Sequence, residues 1–302
     1  MADVTDAPFR RIIAKYGKPG VFWTEFVSAD GLYHTREIQG LKDADNPLMK
    51  DLLYSKDEHP IVAQVFTSKP EMMEYVTSLV TELGFDGVDI NMGCPHRAIE
   101  KQGAGASLIK NPQRATELIQ AAKQGTKGKI PVSVKTRIGY NKNELEEWLP
   151  ILLKEEPSAI TVHARTRKEM SAVPARWEHV KRAVELRTEI TGSANILIIG
   201  NGDVKTVSEA HERVQETGAD GVMIGRGIFG NPWLFSEEVV SDGKRLGVLL
   251  EHCKLFDTYC NHKSFAVMKK HFKAYVTGFK GAKELRVELF ASNSTNEVSK
   301  AI

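Results

Sequence analysis

Cysteine is scarce in this sequence, long apolar runs are missing, and neither sign of charge prevails. Three cysteines occur in 302 residues, Cys94, Cys253 and Cys260, and no two of them form a CxxC pair. That odd, unpaired set fits a reducing compartment better than a disulfide framework, so a cytoplasmic location is expected. No apolar run is long enough to cross a bilayer, and Met1–Asp6 has neither the basic nor the apolar region of a signal peptide. No His, Cys, Asp or Glu cluster has metal-ligand spacing, and no G-x-S-x-G elbow presents a serine nucleophile. Neither a metal nor a membrane is therefore expected as a partner. The net charge of +2 says little until its distribution along the chain is considered.

What is present is a regular alternation. Short apolar runs read as strands: 21–25, 61–66, 87–91, 132–137, 159–164, 196–200 and 221–224. Helix-like stretches lie between them at 71–83, 112–123, 144–153, 177–187 and 204–217. Strand–helix alternation means parallel strands with crossover helices. A closed (β/α)₈ barrel needs eight strands and seven are found, so the alternatives are a barrel whose first strand is missing and a seven-stranded or differently closed sheet, of which the first is preferred. Asp6–Arg10 reads as the loop and helix after a first strand, so that strand is expected upstream of Met1. The alternation stops after Phe235, and 246–259, 264–277 and 282–289 read as helices. The expected fold is a TIM barrel over 1–240 followed by a small all-helical domain over 241–302.

Residues two apart on a strand share a face. Gln64, Asn91, Lys135 and His163 all fall late on their strands, where a barrel opens its active-site mouth. Lys135 or His163 alone is equally well read as a strand end reaching solvent; the set favours a site for an electron-rich ring such as a reduced flavin. The last two strands end in glycine turns, Gly200-Asn201-Gly202-Asp203 and Gly225-Arg226-Gly227. One such turn is usually only a turn. A pair in these positions reads as a phosphate site, with Arg226 adding charge. Cys94 follows the strand 87–91 on a Gly93/Pro95 turn, which favours an exposed reactive thiol over a small buried apolar residue. Cys253 and Cys260 lie seven apart on one helix and read as core. Between 262 and 286 seven cations face a single acid, Glu284, with His262 and His271 among them. The lysines read as a phosphate-backbone surface and the interleaved aromatics as core.

Together these segments resemble the tRNA-dihydrouridine synthase family. The resemblance runs in order from Met1–Arg10 through Thr24-Glu25, Gln64-Val65-Phe66, Asp89–Pro95 and Gly103–Ala106. It continues through Val134–Gly139, Val162–Arg167, Gly200–Asp203, Ile224–Gly227 and His271-Phe272-Lys273, nearly the whole chain. Asn-Met-Gly-Cys-Pro together with His-Ala-Arg-Thr is its most specific signature. The resemblance implies an FMN-bound barrel, a helical tRNA-binding domain, NADPH as electron source and reduction of a uridine C5–C6 double bond in tRNA. Carried over by residue, Cys94 protonates C5. Gln64, Lys135 and His163 hold the flavin ring and ribityl chain, and Asn201, Gly202, Asp203, Gly225 and Arg226 hold its phosphate. Met1 is what remains of a flavin-contacting Ala-Pro-Met element. Asn91, Lys101 and Arg167 line the uridine pocket, and Lys269 and Lys273 contact tRNA. The chain is expected to act as a monomer. Met170–Trp177 departs from the Gly/Tyr-rich stretch usual in the family, which bears on uridine choice. Two rival readings share part of this pattern. One is an FMN barrel reductase of a small molecule, which needs neither the basic helices nor the Gly-Cys-Pro thiol. The other is an inactive RNA-binding relative, which would have a substituted cysteine or flavin site.

Overall fold

A computed structural model describes residues 1, 3–192 and 195–302. Ala2, part of the first family-like segment, lies outside the described residues. Seven strands are found: β1 (Phe22–Ser28), β2 (Ile61–Phe66), β3 (Gly87–Asn91), β4 (Val132–Arg137), β5 (Ala159–His163), β6 (Leu197–Asn201) and β7 (Gly221–Met223). They form one sheet in chain order. From β2 to β7 every neighbouring pair is parallel. Each parallel step needs a crossover, and helices Pro70–Glu82, Pro112–Thr126, Leu145–Lys154, Glu178–Thr191 and Val207–Thr217 supply them in turn. This is the expected strand–helix order of a TIM barrel, with seven strands among the described residues.

Local chemistry sets the helix starts. Pro70 and Pro112 occupy first helical positions, where a missing N–H costs nothing. The side chains of Asn111 and Thr206 accept from backbone N–H groups of the helices they precede. β1 runs three residues beyond the expected end at Glu25. A charge mid-strand is tolerated because Glu25 is buried against the Val4 N–H and the Lys263 ammonium.

Packing divides the chain into two compact units. One comprises Phe26–Leu41 and Ile61–Gly225; the other comprises Met1–Glu25, Lys42–Pro60 and Arg226–Ile302. In the first, alternate strand residues Val88, Ile90, Val134, Ile160, Val162 and Ile198 are wholly buried. Their neighbours on the opposite face are mostly polar and line up through the register. Gln64, Asp89 and Ser133 form one level, Asn91, Lys135 and Thr161 the next, and Arg137, His163, Asn201 and Met223 the last. Stacked levels of this kind fill barrel interiors.

The second unit is helical, with Ala7–Tyr16, Asp242–Tyr259, Met268–Tyr275, Ala282–Ala291 and Thr295–Ala301 as its longer helices. The expected helix over 264–277 is a short 3₁₀ turn, Phe265–Val267, leading into Met268–Tyr275. Phe9 stacks on His252 at 5.2 Å and tilts against His271 at 4.8 Å. A fully buried ion pair joins Arg10 to Glu58 at 2.6 Å. No helix is long and apolar enough to cross a membrane among the described residues.

Candidate active site

Cys94 stands just past the carboxyl end of β3, and four neighbours hold its turn. Asn91 Oδ1 accepts from the Gly93 N–H at 3.1 Å and the Cys94 N–H at 2.9 Å. The Cys94 carbonyl accepts from the Ala106 N–H at 2.9 Å. Arg137 Nε donates to the Gly93 carbonyl at 2.7 Å, and Thr136 Oγ1 donates to the Met92 carbonyl at 3.3 Å. Gly105 is required here: its φ is +62°, and a Cβ would come within 2.7 Å of the Cys94 carbonyl. The turn is half-buried rather than the exposed one its Gly/Pro flanks foretold, because Cys94 packs against the apolar cluster of Phe66, Ile99 and Ala104. Burial pushes the thiol up; the His96 N–H and the charges of Arg137 and Lys135 pull the other way.

Below the turn, side chains are linked across strands. Asn91 Nδ2 donates to Gln64 Oε1 at 3.1 Å, and Gln64 Nε2 donates to Asp89 Oδ2 at 2.7 Å. Ser133 Oγ donates to Asp89 Oδ1 at 2.6 Å. Asp89 is wholly buried, and burial raises its carboxyl to about 6 against the pull of Ser133 and Gln64. On the next strands, Lys135 Nζ donates to Asn201 Oδ1 at 3.2 Å, and Asn201 Nδ2 donates to the Met223 carbonyl at 2.7 Å. Burial, then the Arg137 charge, lowers Lys135 to about 8. His163 Nε2 lies 3.1 Å from an Arg165 guanidinium nitrogen. Arginine only donates, so Nε2 accepts and the ring proton belongs on Nδ1.

At the end of β6, Gly202 has φ +133°, and a Cβ there would sit 2.7 Å from Ala175 Cβ and 3.3 Å from His163 Cδ2. Trp177 Nε1 donates to the Gly202 carbonyl at 3.0 Å and fixes the turn from behind. The Asp203 carboxylate turns to Arg165 and accepts the Ala175 N–H at 2.8 Å. Gly225 closes the strand unit.

The other predicted residues are placed differently. Lys101 is exposed at the end of the short helix Arg97–Glu100. Arg167 is ion-paired with Glu100, Nε to Oε1 at 2.8 Å, and lies 5.2 Å from the Tyr140 ring, which Lys110 also covers at 4.2 Å. Met1, Arg226, Lys269 and Lys273 belong to the helical unit. Met1 anchors the chain start, its carbonyl accepting from Val4 and Thr5 at 3.1 Å each. Arg226 is exposed and opens the turn Arg226–Ile228. Lys273, Lys280 and Lys283 are exposed and Lys269 is half-buried. Two members of the basic stretch leave that surface. Lys263 turns inward to Glu25 at 2.8 Å and Asp51 at 2.7 Å, and His271 is wholly buried. Arg137 and Arg165 enter the site without having been singled out. Their signal was parity, each lying two residues beyond Lys135 or His163 on the same strand face. Among the described residues no group of three or more His, Cys, Asp or Glu could hold a metal ion.

A parallel β/α sheet with amide, lysine and histidine side chains converging below a strand-end cysteine defines an enzyme of the TIM-barrel class. Comparison with known proteins gives the family. The dihydrouridine synthase (Dus) family model matches residues 1–302. A probable tRNA-dihydrouridine synthase of Staphylococcus aureus (strain Mu50 / ATCC 700699) is 39% identical over 302 residues, covering 98% of this chain and 88% of that protein. Probable tRNA-dihydrouridine synthase 2 of Bacillus subtilis (strain 168) is 39% identical over 303 residues, covering 99% and 90%. Among solved structures, histamine dehydrogenase from Rhizobium sp. 4-9 shares the fold at TM-score 0.56 and 14% identity, over 82% of this chain and 46% of that one. The chain thus spans less than half of that dehydrogenase. The chain belongs to the dihydrouridine synthase family.

Membership implies a flavin, and the residues present fit one. A flavin offers an electron-rich ring edge and an anionic phosphate. The polar face offers the Lys135 ammonium, the Gln64 and Asn201 amides and His163. Gly202 offers a backbone stretch with no Cβ beside His163.

Proposed function

We propose that this chain reduces the C5–C6 double bond of a uridine in tRNA, using FMN and NADPH, with Cys94 as the proton donor. A bound reduced flavin supplies the hydride that reaches C6. Negative charge then builds at C5 and O4, and an acid must meet it. Cys94 gives its Sγ proton to C5. A nucleophilic cysteine needs a depressed pKa, whereas a proton donor must hold its proton until needed. Burial keeps the Cys94 thiol protonated. The nearby charges of Arg137 and Lys135 stabilise the thiolate left behind. This pairing of a protonated thiol with two cations carries the reading.

Gln64, Lys135 and His163 hold the flavin ring and ribityl chain in this proposal; Asn201, Gly202, Asp203, Gly225 and Arg226 hold the phosphate, and Met1 adds a contact. Asn91, Lys101 and Arg167 line the uridine pocket. The uridine must leave its stack to enter the mouth. Lys269 and Lys273, with exposed Lys280 and Lys283, meet tRNA phosphates. A small-molecule reductase would have no use for these lysines. One chain suffices for the reaction. The test is anaerobic mixing of the reduced protein with an unmodified tRNA transcript. Flavin reoxidation together with a uridine gaining two hydrogens supports the proposal. Reoxidation by free uridine at the same rate as by tRNA contradicts it.

A further inference from the structure

We infer that Asp89 is a positioning residue, whose carboxylate sets the orientation of the Gln64 and Asn91 amides and through them holds the Cys94 peptide. The inference rests on the reading of Cys94 as the proton donor.

The geometry is a relay with both ends fixed. At one end an ionised carboxylate can only accept; at the other the Gly93 and Cys94 peptide N–H groups can only donate. Between them lie two side-chain amides, each able to present either an oxygen or an NH₂ group. Asp89 Oδ2 accepts from Gln64 Nε2 at 2.7 Å. Gln64 must therefore present Oε1 to Asn91, and it accepts from Asn91 Nδ2 at 3.1 Å. Asn91 must then present Oδ1 to the turn, and it accepts from Gly93 at 3.1 Å and Cys94 at 2.9 Å. One orientation satisfies all these bonds. Turning either amide over would set acceptor against acceptor or donor against donor in a buried place.

Asp89 itself is braced. Ser133 Oγ donates to Oδ1 at 2.6 Å, and the register sets Asp89 opposite Gln64 on β2 and Ser133 on β4. A wholly buried carboxylate inside a sheet is costly where an apolar residue would fit. Its two hydrogen-bonded neighbours, Gln64 and Ser133, show what it does there: it polarises a line of groups that ends on the reactive residue. Asp89 touches neither substrate nor cofactor in the proposed reaction. It acts through Gln64 and Asn91.

The test is amide hydrogen exchange on the full chain, read at the Gly93 and Cys94 N–H groups. Asp89→Leu removes the acceptor, and Asp89→Ser is too short to reach Gln64 yet still polar. The serine variant serves if the leucine variant fails to fold, which thermal melting followed by circular dichroism reveals. Either variant should speed exchange at Gly93 and Cys94 by about tenfold or more, while the Ala164 N–H, bonded to the Asn201 carbonyl, stays as in the parent. kcat should fall by about tenfold with the KM for tRNA held within about twofold, the pattern of a misplaced reacting group. Asp89→Asn should restore slow exchange, because its Oδ1 accepts from Gln64 while its NH₂ meets the Ser133 hydroxyl. Unchanged exchange in Asp89→Leu or Asp89→Ser overturns the relay, and so does an Asp89→Asn variant as fast as they are. Faster exchange with undiminished kcat overturns the link from relay to chemistry. Exchange is read without turnover, so a parent protein inactive on tRNA would sink the proposed function and leave the relay to be judged by itself.

Discussion

Lys135 carries two constraints at once. In the proposed site its ammonium meets the electron-rich carbonyl edge of the flavin, and it sits where burial and Arg137 lower it to about 8. Its charge is therefore complete below neutrality and is lost as pH rises through about 8. FMN affinity of the apoprotein should fall across that window. Lys135→Met should bind FMN weakly at every pH and lose the alkaline limb. Fluorescence titration of FMN against pH reads both. A limb that persists in Lys135→Met assigns it to another group. Cys94 presents the complementary case: burial favours its protonated form, and in the proposed reaction Arg137 and Lys135 stabilise the charge left when the proton goes. The cysteine was legible in the sequence because a Gly-Cys-Pro turn after a strand is unusual. Its half-buried setting was not, because Phe66, on a different strand, closes the apolar cluster with Ile99 and Ala104 against which Cys94 packs.

Elements were legible where periodicity is strong. All seven strands fall where alternation and turn residues placed them, most within a residue or two of the expected ends. β1 overran its expected end because a partner distant in sequence, Lys263, neutralises Glu25. Lys263 shows the converse: in a basic stretch it reads as a phosphate contact, and only packing reveals two carboxylates against it. The helix Ala7–Tyr16 gives an element-scale prediction. Asp6 caps it, Oδ1 accepting from the Phe9 N–H at 3.0 Å. Burial, then Glu25, raises the Asp6 carboxyl to about 7. Asparagine caps as well and carries no charge, whereas alanine forfeits about 1 kcal/mol. Asp6→Asn should melt a few degrees higher than the parent near pH 8, where the parent holds a buried charge, and alike near pH 5. A lower melting point near pH 8 contradicts this account.

On the scale of the whole molecule, the helical unit responds to acid. His252 and His271 are wholly buried, with ring centroids 4.5 Å apart. Burial holds His252 well below the usual imidazole range; burial and Lys270 hold His271 at about 3. In the unfolded chain both take up protons near the reference value of about 6.5. The unfolded state then binds more protons, so their contribution is present above about pH 6.5 and is lost as pH falls below it. Asp6 opposes them: its folded form binds the extra proton between the ordinary carboxylate range and about 7, so its contribution declines as pH rises through that window. Asp89, raised by burial to about 6, acts in the same sense as Asp6, so the two carboxyls largely offset the two histidines, and the histidine effect shows as a difference between parent and variant. Between about pH 7.5 and pH 5, His271→Phe should gain a few degrees of melting temperature relative to the parent. An equal change in parent and variant contradicts the assignment. None of this was legible in the sequence, where His271 sits among lysines and reads as surface.

The central claim is that this chain makes dihydrouridine in tRNA and that the proton at C5 comes from Cys94. Mass spectrometry of tRNA answers it, using a bacterial strain stripped of its own dihydrouridine synthases and supplied with this gene or its Cys94→Ala form. The account predicts a uridine heavier by two hydrogens at a mapped position with the parent gene. It predicts little or none with Cys94→Ala, whose purified protein still carries flavin. Full modification by Cys94→Ala would contradict the proposed proton donor, and unmodified tRNA from the parent would contradict the function itself.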